Sequence, residues 1–197
     1  SGSAGAKTWA ALALANLATN SANKVAIAKA AVGALVELVR GGSADAAGAL
    51  RILATNNATN QVAIAAAGGI APLVELVRGG SAGAKQQAAG ALRNLASENA
   101  ANTAAIAAEG GVAPLEQLAR DGERNATEWV SEVLAMVRPA AEALRKQKEA
   151  VARSERWKAA RNHSEPFAPQ RKNFNAVLKS TKILLRGVKL EETTKPG

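Results

Sequence analysis

The chain has 197 residues, no cysteine and one histidine, and its 25 basic and 16 acidic side chains leave a net charge of +9. That length holds one domain and an extension, and the lack of cysteine excludes disulfides and thiolate chemistry, which fits a reducing compartment. No apolar run approaches the roughly 20 residues that span a bilayer. The charge is unevenly placed: Ser1 to Val137 carries ten basic and ten acidic residues, and everything from Arg138 onward carries fifteen and six. The whole excess therefore sits in the C-terminal part. The opening SGSAG has no methionine and no signal-peptide pattern, so the expected location is intracellular and not secreted. That means cytoplasmic, or organellar after removal of a targeting peptide.

In chain order, the abundance of alanine favours helix almost throughout the first two thirds. Ala4 to Thr19, with WAALALANLA at Trp9–Ala18, reads as one helix of an incomplete unit. Asn23 to Ser43, NKVAIAKAAVGALVELVRGGS, matches the longer stretch from Asn60 with one residue fewer and no proline, and so reads as two short helices ending on a Gly-Gly stop before Ser43. AAGALRILA at Ala46–Ala54 follows as another helix. Asn60 to Ser81, NQVAIAAAGGIAPLVELVRGGS, is the most fully punctuated stretch. Gly68 and Gly69 end a first short helix, since glycine takes the left-handed cap conformation without steric cost. Pro72 sits near the start of a second, where a missing N–H is harmless. Gly79 and Gly80 end that helix, and the Ser81 hydroxyl can cap the next. Between these stops Val62 and Ile64, then Ile70, Leu73, Val74, Leu76 and Val77, make two apolar stripes too short to form a core alone.

The same pattern returns after AAGALRNLA at Ala88–Ala96. Asn102 to Glu123, NTAAIAAEGGVAPLEQLARDGE, repeats the central stretch at full length, with Pro114 in the place of Pro72. The period is 42 residues from Asn60 to Asn102 and 37 from Asn23 to Asn60. Four of the five missing residues fall at the start of the helix after Ser43, about one turn. Self-similarity at such a period signals a solenoid, in which each unit buries its apolar face against its neighbours.

The N-x-x-x-I, G-G-[IV]-x-P-L-x-x-L and A-L-x-N-L-A elements of these copies resemble the armadillo repeat. The chain is similar to members of that family, including its plant, algal and vacuolar-type proteins, over roughly Ala4 to Arg138. The resemblance implies an all-α fold, a right-handed α-α superhelix. Each unit would have a short helix, a second near a right angle to it, and a longer third helix. It also implies that the third helices line a concave groove, where an asparagine holds an extended peptide by its backbone. An amide suits that task because it both donates and accepts. Asn16 and Asn94 match that position, while Ile52 and Met136 interrupt the ladder. Trp9, Gln87 and Trp129 lie seven residues, two turns, before Asn16, Asn94 and Met136, on the same helix face. The groove reading is therefore Asn16, Asn94, Trp9, Gln87 and Trp129; its rival has the tryptophans packed into the solenoid. The tryptophan found four residues before the asparagine in importin-like members is absent, since Leu12 and Gly90 stand there.

In the last unit RNATEWVSEVLAMV gives a third helix with Trp129, Val130, Val133, Leu134 and Val137 apolar. Pro139 is expected to open a further helix to about Arg161, a cover for the open end of the last repeat. HSEPFAPQRKNFN reads as an extended connector. Asn175 to Leu190, NAVLKSTKILLRGVKL, mixes apolar and basic residues and reads as a short helix or an added strand. The domains are thus a solenoid over 1–138, a capping helix over 139–161 and an extended basic tail over 162–197. Trp157, Phe167, Arg171, Lys172, Phe174, Leu178, Ile183, Leu184 and Leu185 are the tail's candidate docking residues, because aromatics beside arginines make interface hot spots. The rival is a solvated basic extension.

No catalytic constellation is present. His163 has no carboxylate or serine pattern to place it, and one histidine without cysteine makes no metal site. GSAGAK at Gly80–Lys85 lacks the ending of a phosphate loop. Three Asn-x-Ser/Thr triplets, at Asn57, Asn125 and Asn162, match glycosylation acceptors by chance in a chain with no sign of secretion. No cofactor is expected. The expectation is a non-enzymatic scaffold, a peripheral subunit of a larger assembly held by its tail. The partner is another protein subunit or an extended peptide. The alternatives are nucleic acid held by counterion release, or an acidic membrane surface touched peripherally by the Val177–Leu190 stretch.

Overall fold

The computed structural model describes residues 4–121 and 127–162. Among them lie nine α-helices and no strand. These are α1 (Ala4–Leu17), α2 (Ser21–Arg40), α3 (Ala44–Ala54), α4 (Ala58–Ala66), α5 (Ile70–Gly79), α6 (Ala82–Ala96), α7 (Ala100–Ala108), α8 (Val112–Arg120) and α9 (Thr127–Asn162). Contacts divide the chain into two compact units, 1–144 and 145–197.

The first unit is the solenoid, and the sequence punctuation sets its corners. Gly68 adopts φ +72 and Gly110 φ +71 at the ends of α4 and α7, the left-handed region where a side chain is strained. Gly69 and Gly111 do a different job. A Cβ on Gly69 would stand 2.8 Å from the Ile64 Cγ2 and 2.9 Å from its carbonyl oxygen; at Gly111 the Ile106 atoms give the same distances. The pair thus supplies one left-handed turn and one close approach, and α4 and α5 meet at 81°. Ser43 and Ser81 cap α3 and α6 by accepting from the Ala46 and Ala84 amides.

In the first copy this corner is missing. The stretch expected to hold two short helices forms the single 20-residue helix α2. Ala31, Val32 and Gly33 stand where the later copies carry their Gly-Gly corner, and Ala34 stands where they carry proline. With no left-handed turn and every N–H able to donate, the chain stays helical. The shortfall after Ser43 falls as expected, since α3 has 11 residues and α6 has 15.

The third helices stack in order: α1 packs on α3 and α3 on α6, while α2 and α5 cover them from behind. Ile64, Ile70, Leu73, Val74, Leu76 and Val77 are buried as expected. Val62 is not, being 58% exposed, because it turns to the solvent side of α4. The third helices pack through Ala46, Ala47, Ala49, Ala88, Ala89 and Ala91, all fully buried, which lets the backbones approach closely.

Pro139 does not open a new helix: it lies inside α9, which runs unbroken over 36 residues. Pro139 and Ala135, the residue whose carbonyl loses its donor, are both on the exposed side, where the freed oxygen is open to solvent. Val130, Val133, Leu134 and Val137 are buried in the first unit's core, and Ala140 and Ala141 pack against it.

The described part of the second unit is the end of α9. It carries the pairs Arg145–Glu149 and Lys158–Glu155 on its surface, and Val151 is exposed. Trp157 is half-buried there. Phe167, Arg171, Lys172, Phe174, Leu178, Ile183, Leu184 and Leu185, with His163, lie outside the described residues. Among the described residues no single helix is long and apolar enough to cross a membrane.

Candidate binding face on the third helices

The third helices are held in register by a polar ladder that the apolar pattern alone does not reveal. Asn60 is buried, and its side-chain amide donates to the Leu53 carbonyl at the end of α3 and to the Lys24 carbonyl on α2. One repeat later, Asn102 donates to the Leu95 and Gln61 carbonyls. Each asparagine therefore ties its own short helix to the preceding third helix and to the preceding unit. In the two earlier copies the residue after this asparagine position (Asn23, Asn60) reaches forward. Lys24 donates to the Thr55 carbonyl at 2.7 Å, and Gln61 donates to the Asn94 carbonyl at 3.0 Å. These bonds take up carbonyls orphaned at the C-terminal ends of α3 and α6. No buried side-chain nitrogen or oxygen among the described residues is left without a partner.

On the face so formed, the five expected groove residues fall as follows. Trp9 on α1 is 71% exposed, and Asn16 on the same helix is exposed. Gln87 and Asn94 on α6 are half-buried, as is Trp129 on α9. Neither tryptophan lies in the solenoid's interior. The Asn94 amide is already engaged, donating to the Arg51 carbonyl and to the Thr55 Oγ1, both at 2.9 Å. That leaves mainly its carbonyl oxygen for a ligand, with one long contact from Arg93 at 3.5 Å. Ile52 and Met136, at the equivalent register, pack against the core.

The structure brings Gln87 and Trp129 together through a residue absent from the groove expectation. Arg51 on α3 donates from Nε to the Gln87 Oε1 at 3.0 Å, and its guanidinium carbon lies 5.3 Å from the centre of the Trp129 ring. Gly90 makes this possible: a Cβ there would meet the Arg51 Cδ at 2.6 Å and the Trp129 ring at 2.8 Å. Three adjacent third helices thus converge on one cation–π stack. Burial lowers the Arg51 pKa below its ordinary value. The signal for Arg51 was the repeated A-A-G-A-L-R of α3 and α6, one residue before the groove register.

Among the described residues no group of three or more His, Asp or Glu is placed to hold a metal ion. A shallow depression between α2 and α5, lined by Val39, Arg40, Pro72, Glu75 and Leu76, lies away from the third helices, and its charged groups Arg40 and Glu75 are paired with Glu37 and Arg78 on their own helices.

Stacked helical units, corners made by paired glycines, and third helices lining one face define an α-solenoid. Residues 57–97, the central repeat, match the Armadillo/beta-catenin-like repeat. The fold is similar to a designed armadillo repeat protein, with a TM-score of 0.65 and 23% identity over 70% of this chain and 60% of that one. It is similar also to two engineered proteins of known structure, each 26% identical. One has a TM-score of 0.64 and covers 74% of this chain and 64% of that one; the other has 0.65, with 92% and 44%. The chain therefore spans less than two thirds of the length of each of these structures. No curated protein matches at the sequence level. The chain thus carries an armadillo-type repeat at residues 57–97, within a solenoid similar in fold to designed armadillo repeat proteins.

Proposed function

We propose that this protein is a non-enzymatic scaffold and a peripheral subunit of a larger assembly. Its third-helix face holds an extended polypeptide, and its basic C-terminal tail tethers it to the assembly. Armadillo repeats serve generally as protein-binding scaffolds, which gives the class of work. The observation that carries the finer reading is the meeting of Gln87 on α6 and Trp129 on α9 through Arg51, with half-buried Asn94 two turns further along α6. Such a row of amide and aromatic groups suits a peptide in extended form, which presents its own donors and acceptors at regular spacing.

The test is affinity capture of partners by the full chain, by a chain lacking residues 163–197, and by Asn94→Ala. Loss of the assembly on tail removal, with peptide binding retained, supports the two-surface reading. Asn94→Ala is expected to weaken binding of an extended partner several-fold while circular dichroism stays that of a folded helix bundle. Equal capture by all three chains overturns the reading. Tail-dependent binding of duplex DNA, or of vesicles of acidic lipid, would replace the tether with a nucleic-acid or membrane contact.

A further inference from the structure

Arg51 and Arg93 occupy the same place in successive repeats, each one residue before the groove register. Arg93 meets a carboxylate on the next third helix, Glu132 of α9. The residue equivalent to Glu132 for Arg51 is Gly90, four before Asn94 as Glu132 is four before Met136. So the repeat that supplies one arginine with an anion supplies the other with a gap. Elsewhere in the solenoid Arg40, Arg78 and Arg138 pair with Glu37, Glu75 and Glu116. Among the described residues Arg51 has no carboxylate partner.

Its remaining donors are accessible. The Nε is committed to Gln87, and no partner within the described residues takes either Nη. Since no fully buried side-chain nitrogen there lacks a partner, neither of those two Nη atoms is fully closed off from solvent. The plane of the guanidinium is held by the Trp129 ring and its stem by the gap at Gly90. A partly desolvated fork with two uncommitted Nη groups matches the two oxygens of a carboxylate. Desolvation without a counter-ion leaves that charge under-compensated, which favours an incoming anion.

We propose that Arg51, stacked on Trp129 and fixed by Gln87, is a carboxylate-receiving position. It takes an aspartate or glutamate side chain of an extended polypeptide lying on the third-helix face. This deepens the scaffold reading and rests on it.

The test uses the full chain and two fluorescein-labelled peptides, one of alternating glutamate and valine and the other with glutamine for glutamate. Affinities are read by fluorescence polarisation at physiological salt. The glutamate peptide is expected to bind about tenfold more tightly. Arg51→Met should abolish that preference, and Arg51→Lys, which keeps charge without the fork, should retain only part of it. Arg78→Gln removes one charge from α5, away from the third helices, and should leave the preference unchanged. Thermal melts of the variants show that each is folded. A preference that survives Arg51→Met, or one lost equally in Arg78→Gln, overturns the carboxylate position while the peptide-binding face stands. Failure of both peptides to bind overturns the face itself and the proposal with it.

Discussion

At Gly69 two atoms of one neighbour decide what the residue can be. Its φ is −74, so strain in the left-handed region is not the reason for glycine. The Ile64 side chain and carbonyl leave no room for a Cβ, and the Val36 Cγ2 closes the site from α2 at 3.2 Å. A carbonyl oxygen in a helix cannot step aside as a flexible side chain can. Gly69→Val should therefore destabilise the solenoid by about 1–3 kcal/mol, read as a lowered midpoint in chemical unfolding. An unchanged midpoint would mean that the corner between α4 and α5 opens freely. Asn102 poses the opposite case, a polar residue that must stay. It is 4% exposed and serves the Leu95 and Gln61 carbonyls. Asn102→Ala leaves the Leu95 carbonyl at the end of α6 without a donor and removes the tie to the Gln61 carbonyl, at a cost of roughly 2 kcal/mol, with no effect expected on helix content. Legibility at this scale was mixed. The glycines announced themselves by their pairing, but Asn60 and Asn102 were read only as the first letter of a motif. An asparagine in sequence looks the same whether it binds a ligand or a neighbouring carbonyl; only the packed helices assign it.

Among the elements, α2 and the α4–α5 pair come from nearly the same letters and fold differently. The difference lies in the corner, where one copy writes Gly-Gly and proline and the other writes Ala31, Val32 and Ala34. This outcome was legible in principle, since glycine and proline are the only residues in the stretch that penalise a continued helix. It was missed because likeness to the other copies carried more weight than the local letters. Ala34→Pro copies the register of Pro72 into α2. In α5 the proline lies in the first turn, where its missing N–H costs nothing. In α2 it falls mid-helix and removes a bond, so the expected loss is about 3 kcal/mol, read by thermal unfolding followed by circular dichroism. A neutral result would show that α2 already bends at this point. The same reasoning run backwards explains Pro139: on the exposed side of α9 the freed carbonyl oxygen is open to solvent, and the helix continues.

For the whole molecule, the charge map divides the chain more sharply than any secondary-structure boundary. A neutral solenoid joined to a segment holding the full excess of +9 offers two surfaces with different physics. The solenoid was legible because repetition multiplies each weak signal by the number of copies. The tail has no repetition to lean on, and its docking residues remain a matter of composition. Charge alone gives an attachment that salt screens, because the Debye length at physiological ionic strength is about 8 Å. Apolar anchors are not screened. On the proposed tether, Phe167 and Phe174, with Leu178, Ile183, Leu184 and Leu185, would be such anchors, and Arg171 and Lys172 would be steering charge. Replacing both phenylalanines by alanine is expected to release the chain from its assembly more completely than neutralising Arg171 and Lys172. The charge variant should mainly slow association and flatten its salt dependence. Co-purification across a salt series separates the two outcomes. Release by the charge variant alone would make the tail an electrostatic tether, and retention by both variants would leave the third-helix face as the sole point of attachment.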